Sequence, residues 1–301
     1  MFSGSSGVAR LSLITIVALV VLKVSVGAVT GSLSVLAQAA DSFLDLFAVV
    51  VTFLAVRIAV RPADEGHPFG HGKAENIAAI VQAGLILIAS GSIVYAAARR
   101  IQSGGALRMT EADMAVMAVS ILASVFLARR LRRVAREEDS PALEANARNI
   151  AADVYSAAAV LVGLLVVRFT GWAIIDPILA VLVALFLIKV AVDVLRRSLG
   201  ELVDVRLPDA EESAVRAAIA EHFGGEVVSF HKLRTRKAGN QRYIDLHLVM
   251  PKHISLEAAH DMCEHLEADI KARLKRTDVT IHVEPCDENC DACKLSCEER
   301  K

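Results

Sequence analysis

Asp41 and Asp45 stand four apart in the stretch QAADSFLDL, inside a run that is otherwise apolar, and Asn149 and Asp153 repeat the spacing in NIAAD. On a helix, a spacing of four places both side chains on one face. One carboxylate in hydrocarbon is costly, and two on one face are more so. Three carboxylates and an amide on two helices could close around one divalent cation, because such ions take oxygen ligands. Pairing with Lys23 or Lys189 of neighbouring runs would account for a single carboxylate, whereas the repeated i,i+4 pattern favours an ion site. Asp176 precedes Pro177 in IIDPILA and reads as an N-cap with proline at the first helical position.

Three further groups could bind metal. The loop DEGHPFGHGKAEN offers Asp64, His67 and His71 as a mixed nitrogen–oxygen set, with Gly66, Gly70 and Gly72 permitting a tight fold. A polar turn with incidental histidines would look the same. In the last third of the chain, His231 and His247 fall on successive predicted strands and His260 on the helix that follows. His282 and Glu284, two apart on a final strand, share a face. Scattered surface histidines are the alternative there. Cys286, Cys290, Cys293 and Cys297 have the spacing C-x3-C-x2-C-x3-C, which lets four thiolates converge on Zn2+ or Cu(I), or else forms a flexible end with free thiols.

The elements that must position these residues divide the chain in two. The protein has 301 residues, 54% of them hydrophobic, and a net charge of −1, so nothing points to nucleic acid. Six apolar runs, roughly 11–30, 34–60, 77–98, 112–130, 146–168 and 174–195, are each near the ~20 residues a bilayer requires. The first is too long for a signal-peptide core and is followed by five more. All nine histidines lie outside these runs, so a site within the bilayer must use oxygen. Arg57, Arg61 and Lys73 follow the second run, Arg129, Arg130, Arg132, Arg133 and Arg136 the fourth, and Arg196 and Arg197 the sixth. Fewer basic residues (Arg99, Arg100, Arg108 and Arg168) follow the other runs, so both termini are expected in the cytoplasm of a multi-pass plasma-membrane protein. In that reducing compartment the cysteines should be thiols or metal ligands. From Glu201 the chain reads as a charged soluble domain. A helix over 208–222, strands over 226–236 and 241–250, a helix over 255–274 and a strand over 278–284 predict a small α+β fold of order αββαβ. The expected divisions are a six-helix membrane domain over 1–200, a soluble domain over 201–285 and a Cys-rich end over 286–301.

With ADSFLDL in the second run, HPFGHGKAE in the loop, the paired residues of the fifth run, and FHKLRTRKAG with DLHL in the soluble part, the chain resembles the cation diffusion facilitators, most closely their bacterial zinc and ferrous-iron efflux branch. The resemblance implies a homodimeric antiporter that exchanges cytoplasmic divalent metal for external protons. It implies a transport site at Asp41, Asp45, Asn149 and Asp153 and a loop site at Asp64, His67 and His71. It further implies an interfacial site in a metallochaperone-like domain at His231, His247, His260, His282 and Glu284, and a charge interlock between Lys73 and Asp204. Three features depart from the pattern. Asn149 stands where the efflux branch usually has histidine, Glu284 stands where the family usually has aspartate, and the cysteine cluster lies outside the pattern.

Ligands must shed protons to bind metal, so external protons can displace the ion when a carboxylate site opens outward. No nucleotide motif of the form GxxxxGK[ST] is present, and exchange needs none. An all-oxygen site suits Fe2+ or Mn2+ better than an imidazole site does, with Zn2+ also admissible. No organic cofactor is called for. A metal-sensing or assembly protein of the membrane without transport is the competing class. An enzyme is the weakest reading, since no nucleophile–base set is evident.

Overall fold

The computed structural model describes residues 5–30, 33–103, 111–170, 175–223 and 227–286. It falls into two compact units, Met1–Gly200 and Glu201–Lys301. The first is built of six long helices: α1 (Ser5–Thr30), α2 (Leu33–Ala59), α3 (Lys73–Ser103), α4 (Glu111–Glu138), α5 (Pro141–Thr170) and α6 (Ile175–Leu202). Four stretches within them, Gly7–Val26, Lys73–Arg99, Met114–Glu138 and Pro177–Leu202, are long and apolar enough to cross a membrane. The two helices carrying the paired polar residues, α2 and α5, are 27 and 30 residues long, about 40 and 45 Å at the helical rise.

The basic run after the fourth apolar segment is not the loop that its charge suggests. It continues α4 to Glu138, and only Asp139 and Ser140 separate it from α5. Arginine and glutamate are good helix formers, and nothing before Asp139 breaks the helix. Asp139 takes a left-handed conformation (φ 53°), which ends α4. Ser140 then caps α5, accepting from the Leu143 amide at 3.3 Å, with Pro141 at the first helical position. The Ser140 hydroxyl also donates to Glu75 at the start of α3, and both residues are 1% exposed. Asn146 Nδ2 donates to Ser12 Oγ of α1 at 3.2 Å, and Arg197 of α6 lies 4.0 Å from Glu144. These contacts gather the starts of α1, α3 and α5 and the end of α6 at one end of the bundle.

Two apolar clusters hold the helices, and α5 belongs to both. One joins it to α1, α2 and α4 through Ile16, Val49, Val56, Leu127, Leu131, Leu143 and Ile150. The other joins it to α3 and α6 through Ala79, Ala83, Ile86, Ala145, Ala152, Leu187 and Ala191. The alanines of the second let the helix backbones approach closely.

The second unit follows the predicted order. It runs α7 (Asp209–Ala220), β1 (Ser229–Ala238), β2 (Gln241–Met250), α8 (Leu256–Arg273) and β3 (Thr277–Pro285). Acidic residues fill the first turn of α7, and Ser255 caps α8 by accepting from the Ala258 amide at 3.1 Å. The central strand β2 pairs antiparallel with β1 and parallel with β3. One face of β2, formed by Ile244, Leu246, Leu248 and Met250, is buried against Ile219, Leu266 and Ile270 of the helices. Its opposite face carries Tyr243, Asp245, His247 and Val249, all half-buried.

Candidate metal sites

Strand register assembles the first site. His231 lies opposite His247 across β1 and β2, and His247 lies opposite His282 across β2 and β3. Three imidazoles thus form a row across the sheet, with ring centroids 5.3 Å apart for His231 and His247 and 4.7 Å for His247 and His282. Glu284, two residues past His282, faces the same row. Its Oε1 is 2.6 Å from His247 Nδ1 and its Oε2 3.0 Å from His231 Nε2, while His282 Nε2 stands off at 3.8 Å. One ligand atom each from His231, His247 and Glu284 falls within 4.8 Å of the others. The hydrogen bond from His247, aided by the neighbouring imidazoles and Lys232, holds the Glu284 carboxyl below its ordinary value. A carboxylate held between two imidazoles in this way, one oxygen to each, offers the donors for a cation taking nitrogen and oxygen ligands.

A β-bulge makes that row possible. The register of β1 shifts by one residue between His231 and Arg234, and Lys232 adopts φ 50°. Counted back from the buried Thr235, strict alternation would turn both Leu233 and His231 toward the core. The extra residue leaves Leu233 and Phe230 packed on the core and sends His231 to the outer face. No spacing in the sequence announces this. His260 is not brought into the group. It sits on α8, whose Leu266 and Ile270 pack on the core face of the sheet, and it pairs with Glu264 at 3.4 Å.

The loop between α2 and α3 gathers the second site. The Asp64 Oδ1 accepts from the His67 amide at 2.7 Å and lies 3.3 Å from His67 Nδ1, while Oδ2 lies 3.4 Å from His71 Nε2. The two imidazole rings are 4.4 Å apart. Gly70, at φ 76°, lets the chain turn back so that His71 meets Asp64. The His67 amide is the chief cause of an Asp64 carboxyl held below its ordinary value. His71 is mostly buried, and its Nδ1 has no hydrogen-bond partner among the described residues. Ligand atoms of Asp64, His67 and His71 also fall within 4.8 Å of one another.

In the helical unit Asp45 and Asp153 are half-buried and Asn149 is 6% exposed. They lie on α2 and α5, which pack together. Asp41 lies on α2, and its side chain is outside the described part of the molecule. A feature not picked out from the sequence precedes them: Asn146 is fully buried, and Asn146, Asn149 and Asp153 fall at i, i+3 and i+7, one polar face of α5. Gln82 of α3 likewise reaches α2, donating to Ala48 O at 2.8 Å and to Thr52 Oγ1 at 2.6 Å. Lys73 opens α3, and in the second unit Asp204 accepts from Arg236 at 3.4 Å. Cys286 is buried at the end of β3, whereas Cys290, Cys293 and Cys297 lie outside the described residues.

Residues 9–203 match the cation efflux transmembrane domain, and residues 207–286 match the cation efflux protein cytoplasmic domain. The uncharacterized transporter sll1263 of Synechocystis is 32% identical over 267 residues, which are 89% of this chain and 86% of that protein. The cation-efflux pump FieF of Shewanella oneidensis is 30% identical over 276 residues, 92% of each chain. The metal-bound C-terminal domain of the CzcD transporter from Thermotoga maritima aligns at 25% identity with 25% of this chain and 87% of that one, with a TM-score of 0.24.

Proposed function

Because the chain belongs to the cation diffusion facilitator family, whose members are membrane-spanning cation efflux transporters and not a class of enzyme, we propose that it is a homodimeric antiporter exporting divalent transition metal from the cytoplasm in exchange for protons. The observation that carries this reading is the burial of Asn149 and the half-burial of Asp45 and Asp153 on two helices packed together in the bundle. With Asp41 they form the transport site. Protons displace the ion when the site faces outward, because the ligands bind it only when deprotonated. Each net charge moved is driven by about 2.3 kcal/mol per 100 mV of membrane potential.

Asn149 makes the site all-oxygen, which favours Fe2+ or Mn2+ relative to a site with imidazole, against an affinity order that favours Zn2+. The His231, His247 and Glu284 group, with His282 beside it and His260 supplied across the dimer, senses cytoplasmic metal, as does the loop group of Asp64, His67 and His71. The cysteines at the end of the chain add a thiolate site. Both termini lie in the cytoplasm and the protein resides in the inner (plasma) membrane.

Flux into proteoliposomes carrying a pH-sensitive dye tests this reading. Metal uptake should come with proton movement and be lost in Asp45→Ala and Asp153→Ala. Transport at the wild-type rate in either variant would mean the site is elsewhere. Metal binding by the soluble unit without any flux would favour a sensing protein.

A further inference from the structure

The end of α4 carries Arg129, Arg130, Arg132, Arg133 and Arg136, all exposed. Arg129, Arg132, Arg133 and Arg136 follow the i, i+3, i+4, i+7 spacing of one helical face. The opposite face of the same turns, Leu127, Leu131, Val134 and Ala135, is buried in the bundle core. The guanidinium stripe therefore points away from the bundle, and it runs about 10 Å along the helix axis. One turn earlier the same outward face is apolar, with Leu122 71% and Phe126 64% exposed. A face that is apolar up to residue 126 and cationic from residue 129 marks the edge of the hydrocarbon layer.

Among the described residues no carboxylate pairs with Arg129, Arg132, Arg133 or Arg136. Arg148, by contrast, is held by Glu144 at 2.6 Å. The four arginines and Glu137 line a shallow, open pocket of about 380 Å³. Orientation of a span during insertion requires positive charge only, and arginines spread around the helix would supply it. Gathering them on the lipid-facing side does something more, because a guanidinium fork matches phosphate oxygens in pairs.

We propose that this stripe is a docking site for the phosphate headgroups of anionic phospholipids in the leaflet at that end of the bundle. It rests on the membrane-spanning character of α4 and is independent of which metal the protein moves.

The test is native mass spectrometry of the full chain in detergent, titrated with phosphatidylglycerol or phosphatidylcholine of identical acyl chains. Basic residues at a membrane surface contribute about fivefold each, so wild type should retain phosphatidylglycerol with at least a tenfold preference. The variant R129Q/R132Q/R133Q/R136Q should lower that preference at least tenfold. The variant R129K/R132K/R133K/R136K keeps both the charge and the orientation signal, and should hold a preference above about fivefold. Equal retention of the two lipids by wild type overturns the proposal without any variant. An unchanged preference in the glutamine variant, or its complete loss in the lysine variant, also overturns it. Displacement of the lipid by millimolar inorganic phosphate, or by an acidic peptide at equal concentration, overturns the assignment to lipid.

Discussion

Replacing Glu284 by glutamine should dismantle the site on the sheet while leaving the fold intact. Glu284 contacts His247 at 2.6 Å and His231 at 3.0 Å, each through a different oxygen. Ligands placed tetrahedrally about 2.0–2.1 Å from Zn2+ are roughly 3.3–3.4 Å from one another. The three side chains therefore need to move by less than about 1 Å to accept an ion. Glutamine keeps the length and one acceptor oxygen but loses the charge, and its amino group cannot ligate. Losing even a supporting partner of a metal ligand costs about 10–100-fold in affinity, so losing the anionic ligand should cost at least ~100-fold. Glu284→Asp retracts the carboxylate by one methylene, about 1.5 Å. It keeps the charge and should cost less than ~10-fold, being bounded by the smaller of those effects. Titration calorimetry of residues 201–286 with Zn2+ at neutral pH reads these constants and the protons released. If Glu284→Gln binds the same number of ions with an affinity within twofold of wild type, the carboxylate is not a ligand and the row of histidines is only a sheet surface.

The same carboxylate gives a pH dependence to the metal-free soluble unit. Its folded-state pKa lies below the ordinary 4.5, so its contribution is complete above that value and is lost as pH falls through the lowered one. Urea unfolding at stepped pH should show a decline below about pH 4.5 that is shallower in Glu284→Gln. Ser140→Ala removes the α5 cap, worth about 1 kcal/mol, and a hydrogen bond to a buried carboxylate, worth about 1.5–3 kcal/mol. The thermal transition of the full chain in detergent should fall accordingly, and an unchanged transition would show that Glu75 does not rely on it. Asn149→His should raise Zn2+ flux relative to Fe2+ and Mn2+ under reducing conditions, and an unshifted ranking refutes the oxygen-site account of selectivity. Removing residues 287–301 should alter the metal dependence of transport and leave the basal rate, and unchanged ion binding by the shortened soluble unit would dispose of the thiolate site.

What could be read from the sequence was what a single helix or strand decides. The pairing of Asn149 with Asp153 is a local property of helical geometry, and so is the grouping of Asp64, His67 and His71 around a glycine turn. Partners distant in the chain were not legible. The contact of Glu75 with Ser140 and that of Ser12 with Asn146 have no periodic signature. The bulge at Lys232 carries no glycine to announce its φ of 50°, yet it decides that His231 faces outward. Charge density misled where it overruled propensity, since the arginines after residue 128 continue α4 instead of opening a loop.

These non-local bonds bear on the transport site. Between helices in a bilayer the hydrophobic drive is weak, because lipid is as apolar as leucine, and small residues and hydrogen bonds fix the packing. The α3 and α6 side of α5 is alanine-rich and would tolerate a slip along its axis. A slip of one residue would turn Asp153 by about 100° out of its face. Ser140 bonded to α3 and Asn146 bonded to α1 clamp α5 at one end of the bundle. Asn149 and Asp153 follow within about two turns of Asn146, so the register of the polar face is set by hydrogen bonds at the end of the helix and carried along it to the site.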